Sequence, residues 1–245
     1  MSSAALAVAL AAGLAVPPSP MQGNAPAELR VVVDSSTAMP MTEIAHGEVT
    51  GGIHRDLGLA LARQLGAHAR FAAMPRKRVA VVLQNGQGDL ACHYLPSWLP
   101  GQFDWTTAFL PNATILVTRT QHPAPAGLDA LGGVPLGTVL GFAYPEMQTM
   151  LGPQFIRDDA ADSLQNLTKF AAGRNRHALS NEVFFTYQQR LHPNLLQVHR
   201  PLLVTRFDAR CAVSRRGRYS LAQVDQAIRA LQKSGQIDAI YAKYR

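Results

Sequence analysis

Charge is sparse in this chain. Only 16% of its 245 residues are Asp, Glu, Lys or Arg, against 47% hydrophobic. That balance excludes a disordered chain and is enough to bury one large core or two modest ones. Charge is wholly missing from residues 1–27. Residues 4–16 form an unbroken run of small and apolar side chains, too short to span a bilayer. No other stretch is long enough to do so. Pro17, Pro18 and Pro20 break the run, and Ala25-Pro26-Ala27 fits a small-x-small cleavage site. The pattern predicts a secretory signal peptide over 1–27 and hence a periplasmic protein. No Lys or Arg precedes the run, so either the start lies elsewhere or a basic leader lies upstream. No Cys follows it, so a lipoprotein anchor is not expected.

Cysteine is limited to Cys92 and Cys211. In an exported protein two cysteines can pair; in a reducing compartment they would be buried thiols. Each sits in an apolar, strand-like run, which suits either state. Catalytic signatures are missing too. There is no Gly-x-Ser-x-Gly elbow. Gly86-Gln87-Gly88 is a turn, not a phosphate loop. Cys92 and His93, adjacent on a strand, are expected on opposite faces and form no direct dyad. The eight histidines lack zinc spacing. No catalytic residue, metal or cofactor is assigned. The net charge of +7 comes from short, scattered clusters. These are Arg76-Lys77-Arg78, Arg174 with Arg176, and Arg215-Arg216-Arg218. They lack interleaved aromatics, so no nucleic-acid partner is expected.

What is present is a series of punctuated helix–strand units. Residues 29–34 read as a strand ending in an Asp-Ser-Ser loop. Ile53, Leu57, Leu61 and Leu65 recur at helical spacing until Gly66 stops them. Residues 68–73 are a second strand, Pro75 opens a second helix, and residues 90–94 are a third strand. That order implies a parallel sheet covered on both faces. Residues 114–118 read as a strand followed by a Pro-containing stretch. A second set begins with a strand at 134–139, a helix at 163–171 and a strand at 177–180, with 195–198 as a further strand. Residues 209–214 are the returning strand. Ser220 and Gln223 form a capping box ahead of a helix buried through Leu221, Val224, Ile228 and Leu231. Ile237, Ile240, Tyr241 and Tyr244 mark a last amphipathic helix.

The segments from Gly52 to Gly66, Asn85 to Asp89, Gly173-Arg174 and Gly235 to Tyr244 together resemble the bacterial extracellular solute-binding proteins of family 3. These are the type that binds polar amino acids for ABC transporters. The resemblance spans residues 28–245. It implies an α/β fold of two lobes, each a mostly parallel sheet flanked by helices, with two hinge crossings. Lobe one is expected over 28–118 plus 205–245 and lobe two over 119–204, with crossings at Thr118-Arg119 and Thr205-Arg206. It also implies a small-molecule ligand held between the lobes, hinge closure on it, a transporter permease as partner, and a monomer. Cys92 and Cys211 fall on expected neighbouring strands of lobe one, and a disulfide between them is proposed.

Carried over position by position, the ligand site is altered. The loop after the first strand, where an aromatic platform is usual, offers only Met41, which either serves as a softer platform or packs the lobe. The usual carboxylate-gripping Arg falls near Pro100 or Gly101; Arg76 or Arg78 is the candidate replacement. His93, Tyr94 and Trp98 line an aromatic pocket or, for Trp98, a surface cluster. In lobe two Gly141, Phe142 and Tyr144 replace a glycine–hydroxyl turn. Asn181 stands where an Asp would pair with an ammonium, with Glu182 beside it. Both charge handles of an α-amino acid site are therefore changed, and the ligand class does not follow from the fold. Alternatives are a cleft enzyme of the dehydratase kind, with Glu146 or Glu182 as general base, and an orphan sensory or partner-binding protein.

Overall fold

A computed structural model describes residues 27–244. Apart from Ala27, the expected signal segment lies outside the described residues. The chain runs β1 (Glu28–Asp34), β2 (Glu43–Ala45), β3 (Glu48–Gly51), α1 (Ile53–Gln64), β4 (His68–Met74), α2 (Arg76–Gln84), β5 (Leu90–Tyr94), β6 (Asp104–Trp105) and β7 (Leu110–Thr118). It continues through β8 (Leu136–Val139), α3 (Pro145–Leu151), β9 (Arg157–Ala160), α4 (Ser163–Ala171), β10 (His177–Asn181), α5 (Glu182–Leu191), β11 (Leu202–Val213), α6 (Leu221–Lys233) and α7 (Gln236–Ala242).

The strands pair in the order β4-β1-β5-β11-β7-β10-β8-β9, with β6 beside β11. The strand–helix–strand units do give parallel pairs: β1 with β4 and β5, and β8 with β9 and β10. The joins are antiparallel. Strand β11 pairs with β7 from Leu202 to Ala209, then with β5 from Arg210 to Val213. One strand thus belongs to both lobes.

Each lobe buries both faces of its sheet. In the first, Leu29, Val31, Ile53, Leu61, Ile228 and Leu231 pack on the side of α1, α6 and α7. Val32, Val79, Leu83 and Tyr94 pack on the side of α2. In the second, Leu167, Phe170, Phe184 and Phe185 form the α4–α5 side, and Leu116, Leu136, Met147 and Leu179 the α3 side. The alternation of Val31 and Val32 between clusters is the period-2 signature of a strand buried on both faces. The capping box at Ser220 and Gln223 forms as read.

Four short strands escaped the sequence reading, β6 among them with only Asp104 and Trp105. β2 and β3 carry Glu43 and Glu48, and β9 reads Arg-Asp-Asp-Ala. None has an apolar alternation; β9 is a charged edge, a usual guard against further pairing. The strand expected at 195–198 does not form. Val198 makes a single bridge to Arg119, and Leu195 lies 65% exposed.

The Asn85-to-Asp89 segment has a structural role. Asp89 is buried and accepts from the backbone N–H groups of Arg30 (2.7 Å) and Arg218 (2.9 Å) and from the Arg30 guanidinium (2.6 Å). Burial works against its charge, but the Arg30 and backbone hydrogen bonds outweigh it and hold the carboxyl below its ordinary value. This one side chain ties the start of β5 to β1 and to the approach to α6.

Cys92 and Cys211 face each other across β5 and β11 and are bonded, with Cα atoms 3.9 Å apart. The bond closes a separation of 119 residues between the first lobe's inner strand and the strand shared by both lobes. Chain entropy alone assigns such a loop up to about 5 kcal/mol. The double substitution C92S/C211S should therefore lower the unfolding free energy by roughly 3–5 kcal/mol, read as a drop in urea midpoint. An unchanged midpoint would show that the bond does not constrain the unfolded chain.

Candidate functional site

The carboxyl ends of β1 and β5, the start of α2, the loop after β8, and the end of β10 with the start of α5 converge on a cavity of about 90 Å³ between the lobes. Ligands of open α/β sheets bind at such strand ends. Gly52, at the N-cap of α1, lets that helix start close against the backbone of Met41, a lining residue. Its φ of 96° is in the region that favours glycine, and a Cβ there would meet the Met41 carbonyl oxygen at 2.6 Å.

Arg76 is the centre of the site. It opens α2 directly after Pro75. Its guanidinium pairs with Asp34 at 3.1 Å, the two side chains being 10% and 3% exposed. The same group lies over Tyr94 (4.7 Å) and Trp98 (5.9 Å) of the first lobe and over Phe142 (4.5 Å) of the second. Asp34 also accepts from the Ser36 N–H. The one cation and the one carboxylate of the lining thus neutralise each other. The lobes touch elsewhere as well: Ser163 donates its N–H and its hydroxyl to the Ser36 carbonyl, and the Gln188 amide donates to the Met39 carbonyl.

A histidine pair lies beside this ion pair. His93 is the extra residue of a bulge, because Arg210 and Cys211 pair with Tyr94 and Cys92 on either side of it. Its φ of 67° breaks the strand alternation. The two-face expectation for Cys92 and His93 therefore fails. His93 turns to the α1–α7 side, where its Nε2 lies 2.6 Å from the Tyr241 hydroxyl and its ring 4.8 Å from that of His54. Burial pushes His54 down to about 4, partly opposed by the charge of Asp34. Burial, then His54, holds His93 well below its ordinary value. Both are neutral at neutral pH.

Of the sequence candidates, Met41, Arg76, His93, Tyr94, Trp98, Phe142, Tyr144 and Asn181 line the cavity. Met41 is also part of the first lobe's core. Trp98 packs edge-on against Phe207. The Tyr144 hydroxyl accepts from the Val139 N–H, and burial raises its pKa to about 12. The Asn181 amide oxygen caps α5. Gly141 lies at the margin, where a Cβ would stand 3.9 Å from Arg76. Arg78 does not line the cavity. Two positions on in a helix is about 200° around the axis, so an inward Arg76 sends Arg78 to solvent, and it is exposed. Glu182 lies in a separate groove with Arg190, Arg206 and Tyr244. Glu146 lines neither.

The sequence reading missed Asp34, His54, Asn112, Asn166 and Phe207, which also line the cavity. Asp34 was findable as the polar residue ending the first strand. Asn112 and Phe207 were not, because β7 and β11 both begin earlier than their apolar runs suggest.

Eight buried side-chain nitrogen or oxygen atoms have no hydrogen-bond partner among the described residues. Seven belong to cavity-lining residues: His54, Arg76, His93, Tyr94, Trp98, Asn112 and Asn166. Buried polar groups are normally paired, at a cost of about 1–3 kcal/mol when they are not. Seven of the eight thus cluster on residues around one cavity. Among the described residues no group of three or more His, Cys, Asp or Glu is placed to hold a metal ion, and no helix is long and apolar enough to cross a membrane.

The sequence matches the bacterial extracellular solute-binding proteins, family 3, over residues 29–245. The chain belongs to that family. Its fold is similar to an ancestral arginine-binding protein bound to arginine, with 19% identity and a TM-score of 0.73 over 89% of this chain and 97% of that one. It is also similar to the ancestral amino acid-binding protein AncCDT-1, a precursor of cyclohexadienyl dehydratase (17% identity, TM-score 0.73, covering 89% and 95%). A third likeness is to ArtJ, the arginine-, lysine-, histidine-binding protein of Geobacillus stearothermophilus (15% identity, TM-score 0.70, covering 89% and 94%). At these identities the structures establish the shared two-lobed fold. No curated protein matches the sequence. Within this family of solute-binding proteins, the interlobe cavity is where the fold and the unpaired polar atoms coincide.

The histidine pair gives a pH dependence of stability. Each histidine takes up a proton near pH 6.5 when unfolded but only far lower when folded. Below pH 6.5 the unfolded chain binds more protons, so stability is full above pH 6.5 and declines as pH falls toward 4. The slope should reach about 1.4 kcal/mol per pH unit for each histidine. Urea midpoints measured from pH 7.5 to 5 should fall in the wild type and fall less in His54→Asn. Parallel profiles would contradict neutral burial of His54.

Proposed function

We propose that this protein is a periplasmic binding protein that captures a small, net-neutral polar solute between its lobes and delivers it to an ABC transporter permease. The observation that supports the reading is a set of seven side chains around one interlobe cavity that each keep one polar atom without a hydrogen-bond partner. Tyr94, His54 and His93 can donate or accept, Trp98 and Arg76 donate, and Asn112 carries a free amide N–H. Because Asp34 and Arg76 already satisfy each other, neither is left over for a ligand ammonium or carboxylate. The apolar walls of Phe142, Phe184 and Leu179 favour a planar amide or aromatic part in the solute.

In this reading the hinge lies where β11 changes partner, at Ala209–Arg210, and at the facing start of β7. Thr114 to Thr118 pair with β10, which supports placing the crossing earlier in β7 than Thr118-Arg119. Ligand would favour the closed state by bridging the two lobes. Binding without turnover is expected, so solute recovered from the protein is chemically unchanged.

A thermal-shift screen of the mature protein tests the reading. A binder of the folded state raises Tm by mass action, by about 2.7 kcal/mol of stability at a hundredfold excess over Kd. Net-neutral amides and heteroaromatic solutes should shift Tm more than the cationic amino acids arginine and lysine. A shift confined to cationic amino acids would contradict the neutral site. Conversion of the bound solute would point instead to a cleft enzyme.

A further inference from the structure

We propose that Arg76 is a tethered occupant of a cation-binding cage in this cleft, so that the protein excludes external guanidinium solutes until that one side chain is removed. The inference rests on the interlobe cavity being a solute site.

The cage is complete. A carboxylate, Asp34, meets the guanidinium at 3.1 Å and is itself 3% exposed. Three aromatic rings lie over the cation at 4.5–5.9 Å. Aromatic faces and a desolvated carboxylate are the elements that recognise an organic cation. The rings come from both lobes: Tyr94 and Trp98 from the first, Phe142 from the second. That is the arrangement of a bridging ligand. A side chain placed only to support its own lobe would contact one of them.

Local helix energetics do not explain the placement. Arg76 sits at the first position of α2, whose first turn holds no acidic residue. The helix dipole disfavours a cation there. The gain must come from the cage.

Tethering decides the competition. A group held on the chain beside its site acts at an effective concentration in the millimolar range. A free cation at micromolar concentration cannot displace it. The Arg76 Nε keeps one buried N–H without a partner. The cage thus blocks cations and leaves the adjoining polar space to a neutral solute. Arg76 is a specificity-determining residue.

Arg76→Ala removes the atoms of ethylguanidinium, and ethylguanidinium is the probe. Titration calorimetry should show it binding R76A at least tenfold more tightly than the wild type. Ethylurea, of similar shape but uncharged, should bind R76A at least tenfold more weakly than ethylguanidinium. Adding Asp34→Asn should abolish the gain, and Arg76→Lys, which keeps a tethered cation, should show none. Circular dichroism checks the fold of each variant, with Arg76→Ser replacing R76A if the alanine variant does not fold. Equal affinity of wild type and variant for ethylguanidinium overturns the proposal, as does equal affinity of the variant for ethylurea. If the wild type binds a neutral solute in the screen and R76A fails to take ethylguanidinium, the tethered occupant is wrong and the solute site stands. If R76A binds ethylguanidinium and no solute shifts the wild type, the cage stands and the neutral-solute reading falls.

Discussion

The division of β11 between two sheets sets the position of everything else. Its first eight residues hydrogen-bond to β7 and its last four to β5. Backbone pairing fixes each half in register, so the two lobes are joined through strands that cannot slide past one another. The strand ends of both sheets therefore open toward a common space. The disulfide between Cys92 and Cys211 lies at this join, on the first-lobe side, and the bulge at His93 lies in the same ladder. The irregularity that turns His93 toward His54 and Tyr241 is thus a product of how β5 meets the shared strand.

The cleft that results is polar at many points but nearly uncharged in sum. The Asp34–Arg76 pair costs desolvation, as any buried pair does. Here the cost is offset by ring faces on the cation and by the Ser36 N–H on the carboxylate. With its charges matched internally, the cleft retains directional groups that lack partners. A neutral solute with complementary donors and acceptors would satisfy them without leaving a charge uncompensated. The same fold in proteins that hold arginine does not transfer that preference, because preference resides in the side chains at the cleft.

The sequence disclosed the architecture well where apolar periodicity was strong. The α1, α4 and α6 faces and the strands around Val31, Leu90 and Leu179 follow from spacing alone, and the Ser220–Gln223 box marked its helix start. Charged edge strands such as β9 have no such signal. The site was legible in part. Arg76, Tyr94, Trp98 and Phe142 were named as candidates, yet their gathering around one cation depends on contacts between lobes far apart in sequence. Asp34 is legible as the polar end of the first strand, but its partner Arg76 lies 42 positions on, and only the fold brings them together. His93 was misread because a strand residue is taken to alternate, and a left-handed φ overrides that rule. Glu182, an attractive partner for an ammonium by its charge, is turned into another groove once Asn181 caps α5.

If Arg76 takes the bridging place in the cleft as proposed, its cage of Tyr94, Trp98 and Phe142 draws the lobes together before any solute binds, and solute adds to that closure. The most direct measurement is the distance between spin labels on Val81→Cys of α2 and Met150→Cys of α3, both exposed positions on opposite lobes. The native cysteines are bonded to each other and do not react with the label. Ligand-free protein should give one narrow distance distribution, and Arg76→Ala should broaden it toward longer distances. A broad, open distribution in the unsubstituted background, indifferent to the removal of Arg76, would contradict the account.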